Sequence, residues 1–575
     1  MERFSLRRQI SLSSLLSTRL THALFIKLGI FCLLFFFFLL PIVRLIIMSF
    51  TEGHEISFLN YSSILSEAAT WSMLKNTAIV VGGATIVSIC LGVLFAWLVA
   101  YTDIRLKKLL QLFIMLPFLI PSYIMTLAWT QFTERNSFFI SFLKPFLGGS
   151  HLNLYSYGGL IFLLGIVHYP LVYLLTLHVL RKIPRDLEWA VRASGGTRFT
   201  MCKTVTLPLA LPGIISGAML AFLTTIDNFG IPAFLGTPAN IPVLSTAIYQ
   251  EVIGFGEDAF ARGAALSVLL GVIVFIFTFL QYILLKRFSY QETGRVENEP
   301  RIFLKKGRLA IEIVLWLFLL FISIVPLFSM VGTSFIKAYG LPFSFENMTM
   351  EHYKYILFQY EKVKIGIVNS LKLAFFTTII CLFIGTAIAY IRIRFDRHET
   401  RLTEGIISLP YALPGMVLAL AMILAWVQPV PGWKPGIYGT IWILLVAYVT
   451  RFLILQVRSS MTALSQVSTE MEEAAHISGA RGIAKWRYIM LPLLFSGVLS
   501  GAFLVFITTL TELTVSSLLW SSGSETIGLL IFSFEQGGYT TYSTALSTLI
   551  LLFLMLTSLI IYLLIKCFNK KVGKV

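Results

Sequence analysis

Residues 187–213 read LEWAVRASGGTRFTMCKTVTLPLALPG, and residues 471–497 read MEEAAHISGARGIAKWRYIMLPLLFSG. Each stretch is an amphipathic segment, a Gly, a second short helix, and then Leu-Pro at the head of a long apolar run. Thirteen positions separate Gly195 from Pro208, and the same number separates Gly479 from Pro492. Small residues at Ala190, Ala474 and Ala475 let a helix lie close against a partner surface. Gly tolerates positive φ, so Gly195 and Gly479 allow a sharp turn between two short helices. Pro208 and Pro492 fit the first turn of the helix that follows. The predicted product is an L-shaped projection held firmly on a membrane span, which is what a docking element needs if a partner's motion is to reach the membrane. A surface helix that merely anchors a loop would explain one copy. Two copies with matched spacing favour docking.

The copies belong to a larger repeat. Asn76, Gly92, Ala96, Pro117 and Pro121 recur 293 positions later as Asn369, Gly385, Ala389, Pro410 and Pro414. Glu188, Ala190, Ser194, Gly195, Leu207, Pro208 and Gly213 recur 284 positions later as Glu472, Ala474, Ser478, Gly479, Leu491, Pro492 and Gly497. The nine-residue difference is a shorter connection in the second half.

The composition sets the medium. Of 575 residues, 57% are hydrophobic and 13% are charged, and the mean hydropathy is +0.84. A soluble globular protein carries about 25% charged residues. A soluble enzyme, a disordered tail protein and a nucleic-acid binder are therefore excluded. A helix rises about 1.5 Å per residue, so about 20 apolar residues cross a hydrocarbon core about 30 Å thick. Twelve spans are expected, at 24–48, 76–101, 109–130, 158–180, 211–235 and 264–285, then 310–332, 367–391, 405–427, 437–457, 496–520 and 543–566. The first follows Arg3, Arg7, Arg8 and Arg19 and reads as a retained signal-anchor. Asp227 and Glu512 interrupt spans 5 and 11, and Pro pairs at 117/121 and 410/414 predict kinks in spans 3 and 9.

The net charge of +17 is an orientation signal. With the N-terminus in the cytoplasm, 32 of the 45 basic residues fall in cytoplasmic segments, nine fall outside, and Lys27, Arg44, Lys372 and Arg451 fall within spans. That is the positive-inside pattern, and it places both termini in the cytoplasm. Six spans per half, an even number, give two halves of the same orientation around an axis along the membrane normal. The fold class is an all-α membrane protein: residues 1–285 form one six-span repeat, 310–575 the second, and 286–309 a solvated cytoplasmic linker with no binding role. Arg44 and Lys372 read as snorkelling residues, and Arg451 as a cytoplasmic cap of span 10.

Nothing points to chemistry on the chain itself. Cys32, Cys90, Cys202, Cys381 and Cys567 are too far apart for a CxxC or zinc pattern, and the eight His include no HExxH. No metal site is expected.

The two quoted stretches resemble the EAA loop of binding-protein-dependent ABC importer permeases, whose pattern is EAA-x3-G-x9-I-x-LP. The second copy matches at Glu473, Ala474, Ala475, Gly479, Ile489, Leu491 and Pro492. The first departs: the aligned triplet is Trp189, Ala190 and Val191, with Glu188 one place earlier and Val205 for the Ile. A twelve-span chain with two such loops resembles the fused ferric-iron permeases, and thiamine permeases share the layout. The resemblance implies a type I importer permease fold in a bacterial inner membrane. It implies docking of two copies of a cytoplasmic ATPase subunit on Glu188, Ala190, Gly195, Pro208, Glu472, Glu473, Ala474, Ala475, Gly479 and Pro492. A periplasmic or extracellular binding protein would deliver the substrate, meeting outward loops that carry Glu52, Glu55, Glu251, Glu257, Asp258, Glu346, Glu351 and Glu361. The chain has no GxxxxGK[ST] loop, so the ATP and Mg would be used by the partner ATPase, and the chain itself is not an enzyme.

Asp227 and Glu512 each follow a Thr-Thr pair that ends in Thr225 or Thr509. A carboxylate at membrane depth costs a few kcal/mol or more and usually faces a cavity or a partner. All four residues are candidates for the substrate pathway. Hard iron(III) prefers oxygen ligands, and carboxylates would equally attract cationic thiamine or another small ion or amine. The alternative is that the carboxylates lie at the water interface or pair with a base. An ATP-independent secondary transporter is the competing class, and it leaves both loops unexplained. An intramembrane enzyme lacks a nucleophile, base or metal constellation.

Overall fold

The computed structural model describes residues 31–52, 55–134, 153–254, 258–288, 299–395, 398–427, 436–480 and 482–572, with 29, 137, 256 and 297 between them. The expected Glu257 contact, Lys27 and the first residues of span 1 lie outside the described residues.

Besides short helical segments such as Leu59–Ser66, the described residues of the first half form α1 Phe31–Ser49, α2 Ala68–Tyr101, α3 Lys107–Leu119, α4 Ser122–Thr133, α5 Tyr157–Leu180, α6 Arg185–Ala193, α7 Arg198–Asp227, α8 Leu244–Ile253 and α9 Ala259–Arg287, nine main helices. Nine more repeat them in order: α10 Lys305–Thr333, α11 Glu361–Arg394, α12 His398–Ala412, α13 Gly415–Trp426, α14 Ile441–Ser465, α15 Thr469–Ile477, α16 Ile483–Leu510, α17 Ile527–Gln536 and α18 Thr540–Val572. Among the described residues ten of these are long and apolar enough to cross a membrane, and there are up to twelve spans if each of two bent helix pairs counts as one. Among the described residues the only paired strands are Thr51–Glu52 and Glu55–Ile56.

The repeat is written in bonds as well as in sequence. Asn76 Nδ2 donates to the Pro242 carbonyl at 3.0 Å, and Asn369 Nδ2 donates to the Gly523 and Glu525 carbonyls at 2.9 and 3.1 Å. The next hydroxyl in each copy accepts the first N–H of a short helix: Thr77 from Leu244 and Ser370 from Ile527, both at 2.9 Å. The core of each half is a three-helix unit, α2, α5 and α7 in one and α11, α14 and α16 in the other. A Cβ on Gly92 would lie 2.6 Å from the Val172 Cβ, so that Gly lets α2 and α5 touch along their backbones.

The halves exchange their first helices. α1 packs on α13, and α10 packs on α4. Aromatic rings seal both contacts: Phe36 and Phe37 meet Trp426, and Phe321 meets Trp129 and Phe132.

Spans 3 and 9 do more than kink. α3 meets α4 at 98° and α12 meets α13 at 107°. Pro121 and Pro414 are the residues at the breaks. Each removes an N–H and drives the residue before it out of the helical region, as the extended backbone of Ile120 shows (φ −88°, ψ 133°). Broken backbone is tolerated at membrane depth only inside protein. Accordingly Tyr123–Trp129 and Met416–Ile423 are buried throughout.

Spans 5 and 11 are shorter than expected, ending at Asp227 and Leu510 instead of 235 and 520. The cause is side-chain competition for the next N–H groups. Asn228 Oδ1 accepts from Ile231 N, and its repeat partner Glu512 accepts from Val515 N at 2.6 Å and Ser516 N at 3.0 Å.

The described residues 297 and 299–304 of the linker are held against the first half. Glu297 N donates to Arg181 O, and Arg301 N and Ile302 N both donate to Tyr101 O at 2.8 Å. Leu304 N donates to Asp103 Oδ1. Polar composition suggested solvation, yet these bonds fasten the segment to the end of α2.

Candidate functional site

The two motif loops are each built as the spacing demands. α6 and α15 both begin with acidic residues in the first turn and end with a cationic or imidazole side chain in the last, in accord with the helix dipole. Each then closes with a 6→1 and a 5→2 bond: Gly196 N to Val191 O and Gly195 N to Arg192 O, against Ala480 N to Ala475 O and Gly479 N to His476 O. This closure needs a left-handed residue, and Gly195 and Gly479 supply it at φ +85° and +84°. The second short helix does not stop before Leu-Pro. It runs into the span through a wide turn, in which Leu207 N bonds to Cys202 O and Leu491 N to Trp486 O. Pro208 and Pro492 have no N–H for the ordinary ladder, so the register shifts by one residue just ahead of them.

Ala190, Gly195, Pro208, Glu473, Ala474 and Gly479 are exposed, and Pro492 is half-buried. Bulky apolar side chains stand out beside them, with Trp189 58% and Ile477 89% exposed. Glu188, Glu472 and Ala475, expected on the docking face, are buried instead. Glu472 is held by Arg394 Nε at 2.5 Å, Lys485 Nζ at 2.9 Å and the Tyr390 hydroxyl at 3.0 Å. Burial alone would raise its pKa, but the bonds from Lys485, Tyr390 and Arg394 outweigh that and hold the carboxyl below its usual range. Glu188 accepts from the Tyr101 hydroxyl at 2.6 Å and pairs with Arg301 Nη1 at 2.9 Å. Both glutamates are thus engaged at the base of their loops, Glu472 within its own half and Glu188 by Tyr101 and by Arg301 of the linker.

The second cluster lies between the halves. Asp227, at the end of α7, reaches the second half: Oδ2 accepts from Arg451 Nη2 at 2.7 Å, and Oδ1 accepts from Gly415 N at 2.5 Å. That N–H opens α13, so the carboxylate caps the positive end of a broken helix. Arg451 is 7% exposed in the middle of α14, so it does not cap span 10 at the membrane surface. It is electrostatically coupled to both Asp227 and Glu512. Glu512 is 8% exposed and spends its oxygens on backbone N–H groups of its own half. Thr225 is turned away, bonded to His168 Nδ1 at 3.0 Å. Thr509 Oγ1, Tyr123 Oη and Arg451 Nη1 are buried without a hydrogen-bond partner among the described residues. Of the four candidate pathway residues, Asp227 alone joins the halves, and it is a third exposed.

Arg451, read from the sequence as a cap of span 10, belongs instead to this cluster. It is the one charge in the apolar run 441–457, and an intramembrane charge calls for a partner. No three His, Cys, Asp or Glu side chains among the described residues are grouped to hold a metal ion.

The family model described as binding-protein-dependent transport system inner membrane component matches twice, over residues 88–290 and 382–574. The ferric transport system permease protein FbpB of Actinobacillus pleuropneumoniae is 24% identical over 510 residues, 87% of this chain and 72% of that protein. The Fe(3+)-transport system permease protein FbpB 2 of Haemophilus influenzae is 21% identical over 523 residues, 89% of this chain and 94% of that protein. The molybdenum transport system permease protein ModB of Escherichia coli (strain K12) is 29% identical over 217 residues, 37% of this chain and 91% of that protein.

Proposed function

We propose that this chain, which belongs to the family of binding-protein-dependent transport system inner membrane components, is the complete membrane pathway of an iron(III) importer driven by ATP. It is a multi-pass inner-membrane permease, and its class of importer works with an ATPase and a substrate-binding protein. The observation that carries the reading is the pair of motif loops. Each is locked at its base by a buried glutamate and offers an exposed, partly apolar face. Two loops suit two cytoplasmic ATPase subunits, one on each. ATP hydrolysis belongs to those subunits, and the permease converts their motion into alternating access.

Iron(III) is favoured because relatives named for ferric transport align with nearly the whole chain, whereas the molybdenum permease aligns with little over a third of it. Asp227, a third exposed at the seam between the halves, is the candidate oxygen ligand for a hard cation. Asp227 lines the route there, and Glu512 and Thr509 lie alongside it.

The test is uptake in proteoliposomes holding the permease with its ATPase and binding protein, supplied with radioactive iron(III) or thiamine. Iron uptake that needs ATP and is lost in Gly479→Asp is the expected result. Thiamine uptake instead would overturn the substrate and keep the mechanism. Uptake indifferent to ATP and to Gly479→Asp would overturn the mechanism.

A further inference from the structure

Glu188 and Glu472 occupy equivalent places, yet their partners differ in origin. Glu472 is neutralised from within its own half by Arg394 and Lys485, with Tyr390 donating a third bond. The repeat offsets of 293 and 284 put Tyr101, Met201 and Trp97 in those three positions in the first half. Both cations are therefore missing. Glu188 is nonetheless as buried as Glu472, with side chains 6% and 10% exposed. A buried carboxylate without a cation is strongly disfavoured.

The cation comes from the inter-half linker. Arg301 places Nη1 2.9 Å from Glu188 Oε1 and donates through Nη2 to the Ile183 carbonyl at 2.5 Å. Its guanidinium also lies over the Tyr101 ring, 4.9 Å from the centroid. The flanking backbone is fixed as well, by the two N–H bonds to Tyr101 O and by Leu304 N on Asp103. Glu297 pairs with Arg185, the first residue of α6, at 2.6 Å. Downstream, Arg308 of α10 pairs with Asp103 at 3.4 Å and with Glu312 at 2.9 Å. A cavity of about 160 Å³ separates the linker from the loop, with Trp189 on one wall and Phe303 on the other.

We propose that the linker segment 297–308 is a working part of the first motif loop. Arg301 is its positioning residue, replacing the two cations that the second copy carries in its own helices. The inference rests on the reading of these loops as ATPase-docking elements. Arg301 holds the first loop, and, a few residues on, Arg308 ties the start of α10, the helix of the second half that packs on α4, to Asp103, two residues past Tyr101. The first loop thus answers to both halves, and the second loop to one.

The test transplants the second copy's solution into the first. Full-length permease in nanodiscs carries Arg301→Ala, then Arg301→Ala with Tyr101→Arg and Met201→Lys. Amide exchange across residues 185–201 is followed without ATPase. The expected result is exchange at least about tenfold faster in Arg301→Ala, returning toward the original rate in the triple variant. Exchange across 469–485 stays unchanged in both. Uptake with ATPase and binding protein should fall and recover in parallel. Unchanged exchange in Arg301→Ala overturns the proposal. So does a defect that the two transplanted cations leave untouched in a protein that still elutes as the parent does. Because the exchange measurement needs no ATP, it stands even where ATP fails to drive uptake, and that failure would count against the docking reading alone.

Discussion

Asp227→Ala removes a carboxylate that serves two buried groups in the opposite half. Arg451, 7% exposed, would lose its hydrogen-bonded carboxylate and keep only the electrostatic influence of Glu512, and the first N–H of α13 would lose its acceptor. Breaking a buried pair by deleting one partner costs about 3–5 kcal/mol. Asp227 is a third exposed, so solvent can partly compensate, and the lower end, about 3 kcal/mol, is the expected loss. Removing both charges in Asp227→Ala/Arg451→Leu leaves no orphan, and its cost should stay near 1 kcal/mol, by analogy with ion pairs replaced by apolar residues. The coupling energy of the cycle is then about 2 kcal/mol or more in favour of the pair. Reversal of the charges, Asp227→Arg/Arg451→Asp, should not rescue, because an arginine would face the positive end of α13 at Gly415. Gly415→Ala should imitate part of the damage, since its Cβ would lie 2.6 Å from Arg451 Nη1 and 2.7 Å from Thr514 Cγ2. The assay is reversible unfolding in mixed micelles, followed by far-ultraviolet dichroism, with iron uptake measured on the same variants. A single-variant loss below about 1 kcal/mol, or a double variant as unstable as the sum of the singles, would refute the assignment of this pair as the bond between the halves.

Gly479→Val forces a branched side chain into φ +84° and should cost at least about 1–2 kcal/mol locally, read as faster amide exchange over 475–483 and lost coupling of ATP hydrolysis to uptake. Glu472 has a depressed pKa in the folded loop, so its stabilising contribution is present above the usual carboxylate range and disappears as pH falls through the lowered value. Exchange over 469–480 should therefore accelerate on acidification, and Glu472→Gln should be already loosened at neutral pH and insensitive to further acid. Asn369→Leu deletes donors to two carbonyls and should destabilise by about 2 kcal/mol or more, measured by the same unfolding assay. A loss below about 0.5 kcal/mol would show that water replaces the amide there.

The parts legible in the sequence were those fixed by local covalent constraint. Gly195 and Gly479 could take positive φ at no steric cost where the closing turn needs it, and the paired prolines marked where spans 3 and 9 could break. Apolar length fixed the number of spans for the same reason: a hydrocarbon layer leaves few alternatives. What escaped was pairing across long separations. Asp227 and Glu512 looked equivalent because each follows two threonines, yet the repeat partner of Glu512 is Asn228, and both of those residues cap a local turn. Asp227 is the residue without a counterpart, since Thr511 stands in its place, and it bonds across 224 positions to Arg451. The two departures from the repeat with the largest structural consequence therefore share one form. At Asp227 a new charge in one half meets a cation in the other, and at Tyr101 and Met201 two lost cations are replaced by one from the linker. In both cases the broken symmetry ties the halves together, and a fused chain can support such ties because its halves never exchange partners.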